Sequence, residues 1–408
     1  ENKKVKYEGN DVSVLDIPLA KSSGNLVYKD DKLELNKLLA YKNNGEVQVA
    51  GTLNFEKELF DLKVSSKGLD HKGVSFLQKE FFPEIPLGFS FSQLKAHLKG
   101  SFLEPLKAKG DLSFFLKDLF WDKEKVFDDI SGHVFRDSKK IQFAEIHGEL
   151  GNYIFAWDGS IQPSSKDLVS QSDFLKALGL SKEDKIDFIY YLTRKTGAVL
   201  PLEERKKDQF ILPFISKSLE EIEINGLHFF NGNVTGSFDQ YLVKMKGGLR
   251  DLFYKEKRSL PDFEYHMVLD KTKFVSKFRQ EGNSATGAIQ VDLLKKSKPF
   301  DFSLKLDQFN LRDFFSSGVY QDPRNFSYLT LDLKLKGFSE DLKLTEIFLN
   351  LDTFYGEYYS EVLGASKVLN LATENPYHIH IKKDDKEEKS VEPLIFQNEF
   401  SILKFSGI

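Results

Sequence analysis

Leu329-Thr330-Leu331-Asp332-Leu333-Lys334-Leu335-Lys336 alternates apolar and polar residues without a break. A period of two puts every leucine on one side of an extended strand and every polar group on the other. The same alternation runs through Phe302, Leu304 and Leu306, and through Leu94, Ala96 and Leu98. It returns in Phe263, Tyr265, Met267 and Leu269, and in Leu342 and Leu344. One greasy face and one wet, charged face describe an antiparallel sheet solvated on one side. The chain therefore reads as mostly β.

A weaker, longer period overlies the alternation. A strand end followed by Gly recurs at Gly51 (VAGTLNF), Gly100 (LKGSFLEP), Gly159 (WDGSIQP), Gly236 (VTGSFDQ), Gly287 (ATGAIQV) and Gly337 (LKGFSED). The successive spacings are 49, 59, 77, 51 and 50 residues, the widest from Gly159 to Gly236. That suits a unit of several strands, and glycine within a strand marks a bulge, a bend or a close backbone approach. Leu403-Lys-Phe-Ser-Gly407-Ile resembles the opening of a further unit, so the polypeptide is expected to continue or to be sealed by a partner.

The wide interval predicts a helical hairpin. Ser181 is placed to cap a helix over Ser181–Thr196, with Asp184 at the capping-box position and Gly197 to end it. A second helix is expected over Lys166–Leu178, and Pro213 divides the ambiguous stretch from Leu202 to Leu219. Helical turns are expected near Val74–Lys79 and Leu311–Phe315. The resulting division is 1–164 as β-repeat, 165–220 as helical insertion and 221–408 as β-repeat continuing the same sheet.

Composition narrows the function. The 408 residues carry 58 Lys and Arg against 62 Asp and Glu, a net charge of −4, which speaks against nucleic acid as a partner of a broadly basic surface. The absence of cysteine excludes disulfides, thiolate metal sites and cysteine nucleophiles. No run approaches the ~18 apolar residues of a membrane-spanning helix. Glu1-Asn-Lys-Lys4 lacks an apolar h-region, so a removed targeting segment or a longer parent chain is expected.

Catalytic signatures are absent: there is no G-x-S-x-G, H-E-x-x-H, Walker A loop or Rossmann fingerprint. His378 and His380 have the i, i+2 spacing of a metal pair, with Asp384 and Asp385 close by. The simpler account is the polar face of a strand whose Ile379 and Ile381 face the other way. Asp128-Asp129 and Glu220-Glu221 read as surface charge, and Asn233-Val-Thr235 and Asn325-Phe-Ser327 match glycan sequons that arise often by chance. Neither an enzyme nor a cofactor or metal is expected.

Phenylalanine is the outlier, with 38 residues against 2 Met and 2 Trp. The pairs Phe81-Phe82, Phe114-Phe115, Phe229-Phe230 and Phe314-Phe315 cannot both face one side of a regular strand, which suggests bulges, corners or helical turns. Core packing accounts for most of the rings. The functional reading is an apolar groove wider than side chains fill, made continuous by stacked strands.

The recurring L-x-L-x-G-[ST]-[FIL] strands also carry a resemblance. Leu98-Lys-Gly-Ser-Phe-Leu-Glu-Pro-Leu-Lys-Ala-Lys-Gly110-Asp-Leu-Ser-Phe114, Val64-Ser-Ser-Lys-Gly-Leu-Asp70 and Leu304-Lys-Leu-Asp-Gln-Phe-Asn-Leu311 share one cadence. In it the chain resembles the AsmA-like (TamB/YhdP-like) Gram-negative envelope proteins, of the bridge-like lipid-transfer group, over about two thirds of its length.

The resemblance implies an elongated antiparallel sheet curled into a groove, β-taco-like, with the helical insertion outside it. It implies a periplasmic segment holding phospholipid or other acyl lipid in transit between inner and outer membranes. An inner-membrane anchor is expected in a preceding region, and an outer-membrane or other envelope protein as partner. The groove is expected to be lined by Leu94, Ala96, Leu98, Leu112, Phe114, Leu304, Leu306, Leu329, Leu331, Leu333 and Leu335. The alternative is a structural or interaction β-repeat whose core is closed and which binds a protein or glycan at its loops. A hydrolase sited in the helical insertion is a third.

Overall fold

In the computed structural model the described residues are 3–14, 17–42, 45–72, 87–104, 107–121, 124–151, 153–164, 180–194, 224–254, 259–260, 262–280, 282, 284–314, 322, 324–339, 343–360, 364–371, 377–382, 394–397 and 402–405. Most of them are strand. The chain divides into two compact units, Glu1–Thr196 with Asn233–Tyr241, and Gly197–Gly232 with Leu242–Ile408.

In the first unit the long strands pair antiparallel in chain order, with the two-residue strand Leu87–Gly88 set against Phe120 and Trp121. Lys3–Val14, Ile17–Lys29, Lys32–Lys42, Gly45–Asn54, Leu59–Leu69 and Phe91–Ser101 lead to Lys109–Trp121. Glu124–Arg136, Ile141–Leu150, Tyr153–Gln162 and Lys185–Arg194 complete the series. Hairpin-by-hairpin addition is what short polar turns between alternating strands produce.

The second unit repeats the scheme. Tyr241–Tyr254, Phe263–Asp270, Lys273–Gln280, Ala285–Asp292, Pro299–Asn310, Phe326–Phe338 and Lys343–Ser360 pair in that order. The long last strand is then flanked by two shorter ones end to end, Ala365–Leu371 on residues 355–360 and Tyr377–Lys382 on residues 346–351. Among the described residues, neither unit returns its last strand to its first. Within each unit the sheet is therefore open and not closed into a barrel.

Helix is scarce. Leu311–Phe314 is a single turn, where a turn was expected. Over its described part, residues 181–194, the helix expected at Ser181–Thr196 is absent. Lys185–Arg194 forms a strand that pairs with Tyr153–Gln162 over its whole length, from Gln162 opposite Lys185 to Tyr153 opposite Arg194. Its Ile186, Phe188, Tyr190 and Leu192 take one face, and its β-branched and aromatic content favours the extended form. The capping chemistry is real but serves a turn. The buried Asp184 carboxylate accepts from Ser181 N at 2.8 Å and Ser164 N at 2.6 Å, and Asp184 N donates to Ser181 O. The helices expected at 166–178 and 74–79, the stretch 202–219 and the pair Phe81-Phe82 lie outside the described residues.

Phe114 and Phe115 do not mark a bulge. They lie in regular register, Phe114 opposite Leu94 and Gly132, Phe115 opposite Gln93 and Ser131. One ring joins the apolar face, and the other meets Phe91 edge-on, centroids 6.3 Å apart, on the polar face. Register shifts fall elsewhere, among them Leu35/Leu38, Leu119/Phe120, Ala144/His147, Leu306/Phe309 and Thr330/Leu331.

Packed core is local, and both clusters belong to the first unit. One gathers Ile141, Ile161, Leu180 and Ile186, the other Leu119, Ile130 and Ile146, with Phe114, Phe143 and Trp157 among the rings packed on them.

Candidate functional site: the apolar sheet face

Directly opposed residues of an antiparallel pair share a face, so the registers can be read as rows across the sheet. In the second unit one row runs Met245, Met267, Ser276, Ile289, Phe302, Leu335, Ile347, Ile381. The row beside it runs Tyr265, Phe278, Gly287, Leu304, Leu333, Leu349, Ile379. A third takes in Ala285, Leu306, Leu331, Leu351 and Tyr377. Leu329 continues the face beyond the bulge, between Phe309 and Phe354.

In the first unit Leu62, Leu98 and Gly110 form one row, and Val64, Ala96, Leu112, Val134 and Phe143 a second. Leu94 and Phe114 stand opposite each other in a third. All eleven expected groove residues therefore fall on apolar faces, five in one unit and six in the other.

Their burial distinguishes the two patches. Ala96 is buried and Phe114 packs on the Ile130 cluster, so part of the first patch is ordinary core. Leu304, Leu306, Leu329, Leu331, Leu333 and Leu335 are all half-buried. A leucine under a second layer is normally sealed. Side-by-side packing within one layer accounts for partial cover and leaves the outward part of each side chain accessible.

The rows also explain the glycine repeat. A Cβ on Gly287 would lie 2.2 Å from the Phe278 ring, and one on Gly159 2.4 Å from the Phe188 ring. These glycines make room for a ring leaning across from the neighbouring strand. Gly51 has a second reason, a φ of 143° with Asp61 O only 2.0 Å from where a Cβ would stand. Phe302 already belongs to an alternating run in the sequence, and the same pattern could also have flagged Phe278 and Ile347. Their neighbourhood depends on register, which the sequence does not display.

The opposite face is charged and paired. Asp61 accepts from His97 Nε2 at 2.7 Å and Lys99 Nζ at 2.9 Å, and these partners hold its carboxyl below the ordinary value. Glu346 sits between Lys336 at 2.7 Å and His380 at 2.8 Å, whose hydrogen bonds bring its carboxyl down to about 2. His378 and His380 are both exposed on this face, and His380 is engaged by Glu346. Asp384 and Asp385 lie outside the described residues. No group of three or more His, Asp or Glu suited to a metal occurs among the described residues.

Open clefts of about 450 to 680 Å³ indent the surface, lined by charged-face groups such as Asp61, Lys99, Lys185 and Lys336. Apolar groups such as Phe60, Ile186 and Phe300 share these linings, so the clefts are mixed in character. The sequon at Asn325 is buried, with its Oδ1 accepting from Tyr359 N at 2.5 Å and Ser327 fully covered, so no glycan can be added there in the folded protein.

Compared with known proteins, the chain matches no family model, no curated protein and no solved structure.

Proposed function

We propose that the apolar face holds the acyl chains of phospholipid or a similar lipid, as a lipid-transfer segment of a Gram-negative envelope. The supporting observation is the set of half-buried apolar rows that passes from strand to strand through the second unit. Taking a methylene out of water is favourable by about 0.8 kcal/mol, and a uniform row repeats that gain at each step. A chain can then shift along the face without a deep trap, and no catalytic group is needed.

Curling of this face into a groove belongs to the same proposal. The bulges at Leu35/Leu38, Ala144/His147 and Leu306/Phe309 support it, since an extra residue bends a strand and increases its twist. Head groups would stay in water at the groove's seam. The periplasmic setting, an inner-membrane anchor and an envelope partner belong to the same proposal, from the resemblance to AsmA-like proteins. The sealed clusters around Ile130 and Ile161 favour the second reading, a closed core serving a protein or glycan partner, for that part of the first unit.

The test is lipid analysis by mass spectrometry on protein purified without detergent. Leu331→Asp puts a carboxylate into the open rows, whereas Thr286→Asp puts one on the charged face opposite Arg279 and Lys305. Bound phospholipid should fall about tenfold or more in the first variant and stay at the wild-type level in the second. Equal occupancy in the two, or a lipid-free extract from folded wild-type protein, overturns the proposal.

A further inference from the structure

Three connections lie at one end of the strands of the second unit: Asp270–Lys273, Asp292–Pro299 and the link from Phe338 to Lys343. Lys273 stands opposite Asp292, Pro299 opposite Phe338, and Phe338 opposite Lys343. The three are tied together. Leu293 N donates to Thr272 O at 2.8 Å, and Ser339 N donates to Lys298 O at 3.1 Å.

The middle connection is internally ordered as well. Asp292 Oδ1 accepts from Leu294 N at 3.0 Å, and Lys298 N donates to Lys295 O at 2.9 Å. On this fixed tip Leu294 is 69% exposed, among the highest values for a large apolar side chain among the described residues.

The charge around it is one-sided. Lys271, Lys273, Lys295, Lys296, Lys298 and Lys343 occupy the rim, and all are exposed. Asp270 accepts from Thr272 N and Lys273 N, and Asp292 holds Leu294 N through Oδ1 and Lys295 Nζ through Oδ2 at 3.4 Å, an exposed pair that leaves the other five lysines of the rim outside it. Counting Glu340 and Asp341 from the sequence of the third connection leaves six lysines against four acids. The apolar face reaches the same rim through Phe300, opposite Val291, and Leu344, opposite Gly337.

An exposed leucine ringed by lysines matches the boundary between acyl chains and anionic head groups. We infer that this rim docks on an anionic lipid bilayer, with the tip Asp292–Lys298 as the inserting element, Leu294 entering the acyl layer and the lysines facing head-group phosphates. The inference goes beyond lipid holding and does not depend on it.

The full chain is mixed with vesicles of phosphatidylcholine alone, or of phosphatidylcholine and phosphatidylglycerol at about 70:30, and binding is read by co-flotation. Binding should require the anionic lipid and disappear near 0.5 M salt, where screening shortens to a few ångströms. Each lysine at such a surface is worth about fivefold in affinity, so Lys295→Gln with Lys296→Gln should weaken binding about 25-fold. Both side chains are exposed, so the fold is not at risk.

Because the chain has no cysteine, Leu294→Cys accepts a single environment-sensitive fluorophore. Its emission should brighten and shift to the blue with anionic vesicles, while the same label at Thr286→Cys stays unchanged. Equal binding to both vesicle types, full binding by the double variant, or a label at residue 294 that remains in water each overturns the inference. All of these outcomes are separate from the lipid content of the purified protein, so docking and lipid holding can fail independently.

Discussion

Glu346 illustrates what a single residue contributes on the charged face. One carboxylate oxygen meets Lys336 on the preceding strand and the other meets His380 on the following one, so the side chain ties three strands together. Its folded value, about 2, lies below the ordinary 4.5 of a glutamate. A depressed carboxylate stabilises the fold fully above its unfolded value, and the contribution fades as pH falls through the folded one. The melting temperature of Glu346→Gln should therefore trail wild type most above pH 4.5, and the gap should narrow between pH 4.5 and about 2. A gap independent of pH in thermal melts would remove the carboxylate's charge from the explanation. The i, i+2 spacing of His378 and His380 was legible in the sequence as a strand's polar face. Their acidic neighbour was not, because Glu346 is brought to His380 only by the register of residues 346–351 with Tyr377–Lys382.

At the scale of elements, the recurring device is a bulge whose extra residue is left-handed and not glycine. Lys37, Glu145 and Gln308 have φ of 62°, 52° and 43°, each within a register shift. Side chains of the adjacent strand support two of them: Glu145 N donates to Asp158 Oδ1 and Gln308 N to Thr330 Oγ1. A left-handed conformation costs a side-chain-bearing residue about 1–2 kcal/mol, which glycine avoids at some entropic cost in the unfolded chain. Gln308→Gly should stabilise the protein by roughly 0.5–1 kcal/mol, and Gln308→Val should destabilise it by a similar or larger amount, read from urea midpoints. Loss of stability in the glycine variant would mean that the bulge is held by Gln308's side chain and not by backbone geometry. Bulges were not legible, since Leu306-Asp-Gln-Phe309 looks like a mere lapse in alternation. The strand Lys185–Arg194 was misread for a related reason. Its nearly continuous apolar run fits both periods, and only the ladder with Tyr153–Gln162 decides between them.

Within each unit, taken whole, alternation made the strands and their apolar sides legible, and all eleven leucine, alanine and phenylalanine positions chosen from it lie on apolar faces. What covers those faces was not legible, because cover comes from segments remote in sequence. Phe89 reaches the Ile130 cluster from outside the strands that form it, whereas the leucines of residues 304–335 stay half-buried. The pairing scheme has an energetic consequence. Among the described residues, each strand of the second unit packs chiefly on its two neighbours, so a local defect should stay local. Leu304→Ala removes side-chain contact opposite Gly287 and Leu333. A half-buried leucine lost in this way should cost about 1–2 kcal/mol, less than at a sealed site. Native-state hydrogen exchange should show lost protection in Ala285–Asp292, Pro299–Asn310 and Phe326–Phe338, and progressively less in Lys273–Gln280 and Phe263–Asp270. A uniform loss across the unit would show cooperative unfolding through a shared core, which would favour a closed interior over an open apolar face.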